Sequence, residues 1–349
     1  MGGVVAVIAR IVSPPVPLPP DYPAPVTRAF IPDEILALAH ERARAREARD
    51  WAEADRLRAA IEAAGWRIVD RGTDFALTPA APPDQVEGEH VRYGASRNVP
   101  SRLEEAPTGL ATVVLIATDW PEDLERTLAG LRSSPDGTSV VIVADAPSPT
   151  QAAALEALAT AAPGAGGGPT PEILWTSERL GHAAAVNAGI RRAGGPFVIV
   201  LDTSVEAQGD IVTALADALA DPTVGVAGPW GLVSSDLRKF DDAPPGDVDA
   251  IGGYVLAFRR ADFAARGPLD ERFRFYRNLD IWWSLVLRDE GEGKPPRRAV
   301  SVGGLPLVRH EHRGWTSLPD EERDRQSKRN FYRIIDRFGS RRDLLTRPG

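Results

Sequence analysis

The chain has 349 residues, 43% of them hydrophobic and 26% charged, with a net charge of −8 and a pI near 5.3. That balance describes a globular protein of two domains, or of one large domain and a small one, and argues against nucleic-acid binding through bulk charge. With no cysteine in the chain, disulfides, thiolate metal sites and cysteine nucleophiles are excluded. The only apolar run near the start, Val4–Ala9, is broken by Arg10. It is too short to span a membrane and lacks the basic start of a signal peptide, so the cytoplasm is the expected compartment. Peripheral contact with a membrane stays open.

Residues 1–30 form a Pro-rich segment, dense in proline over 13–27, which reads as an extended spacer. Residues 31–80 read as a small helical hairpin domain. Pro32, Asp33 and Glu34 mark the start of a helix running to about Glu47. In a second helix Trp51, Ala54, Leu57, Ile61 and Ala64 share one face, and Gly65 stops it. Ile68–Leu77 reads as a short β-hairpin turning at Arg71–Asp74. Between Asp33 and Ala64 six arginines face eight acids, which gives no basic stripe for RNA. Residues 81–108, with Pro82, Pro83 and Gly88, read as a linker.

From 109 onward strands and helices alternate. Strands are expected at Thr112–Ala117, Ser139–Ala144, Glu172–Trp175 and Phe197–Leu201. Helices are expected at Pro121–Arg132, Thr150–Ala161 and Gly181–Ala193, with a flexible tract over Pro163–Pro169. This order predicts an α/β fold, a mostly parallel sheet with helices on both faces. The ligand-binding edge of such a sheet is at the carboxyl ends of its strands. Phe197–Leu201 is a run of β-formers that ends in Asp202. If the following loop is extended, Asp202, Ser204 and Glu206 point the same way and could hold a hard cation such as Mn²⁺ or Mg²⁺. The alternative for Asp202 is a helix cap. Further on, Asp280 is the only carboxylate between Glu271 and Asp289. It could act as a general base, or simply start a helix over Ile281–Arg288. His310 and His312 flank Glu311 and share a face if extended. A closing helix is expected over Pro319–Phe338, with Phe331, Ile334, Ile335 and Phe338 inward.

Two stretches resemble known families. Residues 31–78, through Arg42, Arg46, Asp50, Trp51, Ala54, Asp55, Arg58, Gly65 and Asp70, resemble the C-terminal helical domain of cysteinyl-tRNA synthetases. None of the synthetase catalytic core accompanies them, so aminoacylation is not implied. Residues of about 110–340 resemble family 2 glycosyltransferases of the GT-A fold, a Rossmann-like sheet. The carrying segments are TVVLIATDWPEDLERTLAGL, VIVADAPS, ERLGHAAAVNAGIRRAGGPFVIVLDTS and IGGYVLAFRRADFAARGPLDERFRFY. The resemblance implies transfer of a sugar from a nucleotide-sugar donor to an acceptor hydroxyl on a glycan, lipid or small molecule, with inversion. It places Thr118, Asp119 and Asp145 near base and ribose, Arg179 and His182 near phosphate, and Asn187 and Asp202 on the donor. It also implies a divalent metal held by Asp202 with Ser204, Glu206, His310 and His312. Asp145 has the alternative of capping the next helix, and Asn187 that of a solvated helix residue. The sequence departs from the family pattern where Ser204 replaces the second DxD carboxylate and where Arg277 and Asn278 stand at the usual acidic pair, leaving Asp280 as the expected base. The rival readings are an inactive glycosyltransferase-like scaffold, an RNA-associated protein using the hairpin, and a nucleotidyltransferase.

Overall fold

A computed structural model describes residues 31–71, 74–79, 82, 84–88, 90–161 and 168–346. The Pro-rich segment, most of the 163–169 tract and the tip of the 71–74 turn lie outside them. The chain divides into two units, one ending at Ala81 and one beginning at Pro82.

In the first unit α1 (Asp33–Glu47) and α2 (Trp51–Ala63) precede a hairpin of β1 (Trp66–Arg71) and β2 (Asp74–Pro79). Asp33 and Glu34 sit in the first turn of α1, and Asp50 caps α2 by accepting the Glu53 amide at 3.1 Å, so both helix starts meet negative charge. Gly65, at φ 78°, turns the chain out of α2. The hairpin pairs Ile68 with Leu77 and Arg71 with Asp74 in the expected register. Ile35, Ala39, Ile61, Trp66 and Ile68 form the core. Of the expected α2 face, Ala54, Leu57 and Ile61 are buried, but Trp51 is 56% exposed and Ala64 is exposed. These two stand at the ends of the helix, beyond the turns that meet α1 and the hairpin; Trp51 instead carries the Arg46 guanidinium over its ring. Arg42, almost wholly buried, reaches Asp70 with two hydrogen bonds of 2.7 and 3.1 Å. Those bonds hold the Asp70 carboxyl below its ordinary value. The residues that carry the synthetase resemblance are therefore partly an internal brace.

The second unit opens with β3 (Gln85–Glu87) and β4 (His90–Tyr93), then β5 (Ala111–Ala117), α3 (Pro121–Gly130), β6 (Thr138–Ala144) and α4 (Pro149–Thr160). Next come β7 (Pro171–Thr176), α5 (His182–Arg191), β8 (Phe197–Leu201), β9 (Val205–Ala207), α6 (Val212–Ala220) and β10 (Val224–Gly228). Short strands β11 (Gly231–Val233), β12 (Asp241–Ala243), β13 (Gly246–Val248) and β14 (Ala250–Ile251) lead to β15 (Val255–Arg259) and α7 (Arg260–Arg266). The unit closes with α8 (Leu279–Arg288), β16 (Arg298–Ser301), β17 (Leu307–Arg309), the single turn α9 (Arg313–Thr316) and α10 (Asp320–Phe338).

Ten strands make one sheet in the order β13-β16-β10-β15-β8-β5-β6-β7-β4-β3. Its centre, from β8 to β4, is parallel, and β15 then enters antiparallel against β8. The central strands β5 and β8 are near-continuous apolar runs because both faces are covered. Along β5, Val113 and Leu115 join a core shared with α3, α4 and α6, whereas Val114 joins one shared with α5, α8 and α10. α5 lies close on the sheet because it is built from Ala183, Ala184, Ala185, Ala188 and Gly189; a Cβ on Gly189 would collide with Val114.

The expected linker over 81–108 is corrected by the structure. β4 pairs parallel with β7, matching Arg92 to Trp175, and β3 pairs with β4 at the sheet edge. Val99 is buried with Leu174 and Ala185. Proline and charge read as linker, yet an edge strand needs pairing on one side only and tolerates both. The sheet-bearing unit therefore starts at Pro82 rather than at 109.

Candidate active site

Asp202 leaves the end of β8, and its own amide donates to the Tyr254 carbonyl at 2.9 Å. The expected extended loop after it does not form. Ser204 donates its amide and its hydroxyl to Asp202 Oδ1, at 2.8 and 2.5 Å, and the Val205 amide closes back on the Asp202 carbonyl at 3.0 Å. A short polar side chain bonding the backbone two residues on is the usual cause of such a turn. The chain then enters β9, which pairs antiparallel with β17, Glu206 opposite Val308.

The turn sorts the five expected metal ligands into separate groups. His310 Nε2 lies 2.7 Å from Glu206 Oε2. His312 Nε2 lies 3.2 Å from Asp202 Oδ2, and the Ser204 hydroxyl is spent on Asp202. Among the described residues no three His, Asp or Glu side chains converge on one point. Asp202 and His312 still fit a divalent cation, as a carboxylate oxygen and an imidazole nitrogen facing the same spot, if a bound diphosphate supplies further oxygens. Ser204, Glu206 and His310 do not face that spot. Burial pushes the Asp202 carboxyl up, but His312 and Ser204 outweigh it and hold it below its ordinary value. Burial likewise pushes His312 down, and its bond to Asp202 brings it above its ordinary value. The Trp315 amide donates to His312 Nδ1 at 3.1 Å, which leaves the ring proton of the neutral imidazole on Nε2, facing Asp202; a cation at Nε2 requires that proton to leave and the Nδ1 bond to open.

Asp145, at the end of β6, is 2% exposed. It accepts the Leu180 amide at 2.7 Å and the Gly181 amide at 3.3 Å. Burial pushes its carboxyl up against these bonds. It therefore fixes the loop before α5, where Gly181 takes φ 91°. Asp145 does not cap α4; Ser148 does, accepting the Gln151 amide. At the end of β5 the Thr118 carbonyl accepts the Ser148 amide at 2.7 Å. Asp119 lies 3.7 Å from Arg179, whose guanidinium donates to the Ala146 carbonyl. Thr118, Asp119, Asp145 and Arg179 thus share one region of the sheet edge.

Asn187 is corrected. It is 1% exposed, donates to the Leu269 carbonyl at 2.9 Å and to Glu271 at 3.1 Å, and accepts the Leu269 amide at 2.9 Å. Its amide is consumed in holding the loop that follows α7, because the close approach of α5 to the sheet buries it. Glu271 also takes the Ser96 hydroxyl.

Asp280 sits in the first turn of α8, after Asn278 at φ 68°. Its Oδ2 accepts the Gly253 amide at 2.8 Å. Burial raises this carboxyl, opposed by the Ile281 and Gly253 amides. Gly253 and Tyr254 therefore tie the two carboxylates together: one touches the Asp280 side chain, the other the Asp202 backbone. Sequence reasoning missed the aromatic ring around this pair. Tyr276 stacks on His312 at 4.4 Å, and Arg309 covers Tyr254 at 4.9 Å and Trp230 at 5.7 Å. The aromatic residues interleaved with arginine in the FRFYR and VRHEHRGW segments were the signal available.

His182 lies in the same neighbourhood, edge-on to Tyr276 at 5.9 Å. Burial pushes its imidazole down to about 4, with His312 acting in the same direction and Asp202 against it. A depressed pKa means stability that is present above the ordinary value near 6.5 and lost as pH falls toward 4. Thermal unfolding midpoints should accordingly drop over that window, and in His182→Gln the drop should be shallower. Identical slopes would show that His182 is not held neutral by the fold.

The parallel sheet, its antiparallel entry at β15 and the carboxylates at its strand ends define an α/β domain of the GT-A fold. Residues 112–262 match the family model described as "Glycosyl transferase family 2". Among solved structures, the mannosyltransferase PcManGT of Pyrobaculum calidifontis, in complex with GDP-Man and Mn²⁺, is 19% identical with a TM-score of 0.48, covering 70% of each chain. GalNAc-T7 with UDP, GalNAc and Mn²⁺ is 14% identical with a TM-score of 0.49, over 66% of this chain and 48% of that one. Among curated proteins, a cysteine–tRNA ligase of Opitutus terrae is 47% identical over 53 residues, 15% of this chain. The chain spans only 12% of the length of that ligase, and 8% of a second one from Burkholderia lata.

Proposed function

We propose that the unit from Pro82 onward transfers a sugar from a nucleoside diphosphate donor to an acceptor hydroxyl with inversion at the anomeric carbon. The observation that carries this reading is the bridge Gly253–Tyr254, which holds the Asp202 backbone and the Asp280 carboxylate at one sheet edge. Asp280 takes the proton of the acceptor hydroxyl as that oxygen bonds the anomeric carbon. The bond from that carbon to the diphosphate breaks, and the diphosphate leaves with the electron pair. One displacement inverts the centre, and a half-buried carboxyl with a raised pKa is suited to the base. Thr118 and Asp119 face the nucleoside, Arg179 and His182 the diphosphate, and Asp145 acts through the 180–181 loop it fixes. Asp202 and His312 hold a divalent cation, Mn²⁺ or Mg²⁺, which when bound supplies positive charge for the leaving diphosphate.

The test is a thermal-shift screen of the full chain against nucleotide sugars, with Mn²⁺ and with EDTA. A matched donor at a hundred times its Kd should stabilise the folded protein by about 2.7 kcal/mol, and the shift should shrink in EDTA. If no nucleotide or nucleotide sugar moves the midpoint, the donor site is absent and the scaffold reading takes its place. Among the described residues no helix is long and apolar enough to cross a membrane. The acceptor, whether glycan, lipid or small molecule, is therefore best sought with both soluble and vesicle-borne hydroxyls.

A further inference from the structure

A cavity of about 410 Å³ opens between the 268–272 loop, α8 and the last turns of α10, lined by Pro268, Asp270, Arg272, Trp282, Arg333, Asp336 and Arg337. None of these residues belongs to the strand-end site. Trp282 stands two positions beyond Asp280 on α8, and helix side chains two apart point in widely different directions.

Its three guanidiniums are not equivalent. Arg272 is matched by Asp270, with contacts of 2.5 and 2.9 Å. Arg333 and Arg337, one helical turn apart on α10, form no ion pair among the described residues. Aromatic faces support them instead: Arg333 lies 5.8 Å from the Phe273 ring centre, and Arg337 lies 5.1 Å from Trp282 and 5.0 Å from Phe338. A ring face steadies a guanidinium but leaves its N–H edge unsatisfied. The Nε of Arg333 is shielded from solvent and without a partner. Burial pushes both arginines down, and for Arg333 the neighbouring Arg272 adds to the effect. Neither guanidinium has a carboxylate within ion-pair distance, although Asp270 and Asp336 act on Arg333 and Asp270 and Asp289 on Arg337 from further off; Arg333 is half-buried, where that is costly, and Arg337 is exposed. Two such groups on one wall, each fixed by rings rather than by carboxylates, make a preorganised fork for an oxyanion.

We propose that this cavity is a binding site for a phosphate group, separate from the donor site and independent of whether the strand-end site transfers sugar. Arg333 and Arg337 hold the phosphate oxygens, and Arg272 offers a third guanidinium from across the cavity. Asp270 is neutralised by Arg272 and does not repel the ligand. Asp336 is exposed and forms no ion pair among the described residues, though its charge reaches Arg272 and Arg333, so it competes with the ligand, weakens binding and gives the test its sign. The phosphate belongs either to a soluble phosphomonoester or to a lipid headgroup.

The experiment titrates the full chain with inorganic phosphate by calorimetry at fixed ionic strength. Binding should weaken about tenfold or more in Arg333→Gln and in Arg337→Gln, the size of a lost charge-assisted contact. It should tighten severalfold in Asp336→Asn, which loses only a surface charge and keeps the proposal testable if an arginine variant misfolds. Asp202→Asn should bind phosphate as the wild type does. Glycerol 3-phosphate and vesicles of phosphatidylcholine with phosphatidic acid then separate the two sources. Binding of the first alone assigns a soluble ligand, and Arg333-dependent binding of the vesicles assigns a headgroup. Unchanged affinity in Arg333→Gln and Asp336→Asn, or loss of phosphate binding in Asp202→Asn alone, would overturn the proposal.

Discussion

Asp280→Asn should turn over about 10²–10⁴-fold more slowly than the wild type, the usual contribution of a positioned general base. The amide oxygen of asparagine can still accept the Gly253 N–H, now 2.8 Å from Asp280 Oδ2, so the local structure should hold. The substitution costs at most about 1 kcal/mol of stability, the scale of a charge at a helix start. Donor affinity should barely change, because the donor contacts lie on the Asp202 side of the Gly253–Tyr254 bridge. The pH dependence has a definite sign. Burial raises the Asp280 carboxyl, and only its ionised form accepts a proton. Turnover should therefore fall as the solution is acidified through that raised pKa, and Asp280→Asn should lose this limb of the profile. Near-normal turnover in the variant would leave no replacement nearby, since Glu271 is held by Asn187 and Ser96. That outcome would remove Asp280 as the base and leave the proton acceptor to be sought outside these two carboxylates, whereas absence of turnover in the wild type itself would favour the scaffold reading.

The regular parts of the fold were legible because each has a strong local cause. The continuous β-forming runs at 112–117, 139–144 and 197–201 became neighbouring strands with covered faces. Asp33, Asp50 and Gly65 marked helix ends by capping chemistry that depends on two or three residues. Residues 84–93 were not legible. Their strand character arises only from pairing with β7, whose partner Trp175 is more than eighty residues away in sequence. Local composition carries no record of such pairing.

The site was legible at its strand ends and not between them. Asp145, Asp202 and Asp280 could be singled out because each follows or starts an element. What each oxygen touches could not be read. In the sequence Ser204 reads as a metal ligand beside Asp202 and Glu206, whereas its hydroxyl bends the chain back and separates Glu206 from Asp202. Asn187 looked available for a ligand, yet the run of small residues around it draws α5 onto the sheet and buries its amide against Leu269. In both cases a short polar side chain found a backbone or neighbouring partner within the fold, which hydrogen-bonding capacity alone does not foretell.

Asp202→Asn gives the second large effect, and it falls on binding. The carboxylate accepts from Ser204 twice and faces His312 at 3.2 Å. Asparagine preserves one acceptor and loses the charge. Losing a charged contact of this kind costs roughly 1.5–3 kcal/mol, which corresponds to about 10–100-fold in affinity. Calorimetry with a nucleoside diphosphate, in Mn²⁺ and in EDTA, separates the two ways Asp202 could act. If it works through the cation with His312, the wild type and the variant should bind the nucleotide equally in EDTA and diverge only with Mn²⁺. His312→Gln should then reproduce the pattern. If Asp202 instead bonds the ribose directly, the loss should persist in EDTA and His312→Gln should not share it. Equal affinities under both conditions would remove Asp202 from the donor site. The strand end would then carry only the Ser204 turn, and the proposed reaction would lose its anchor.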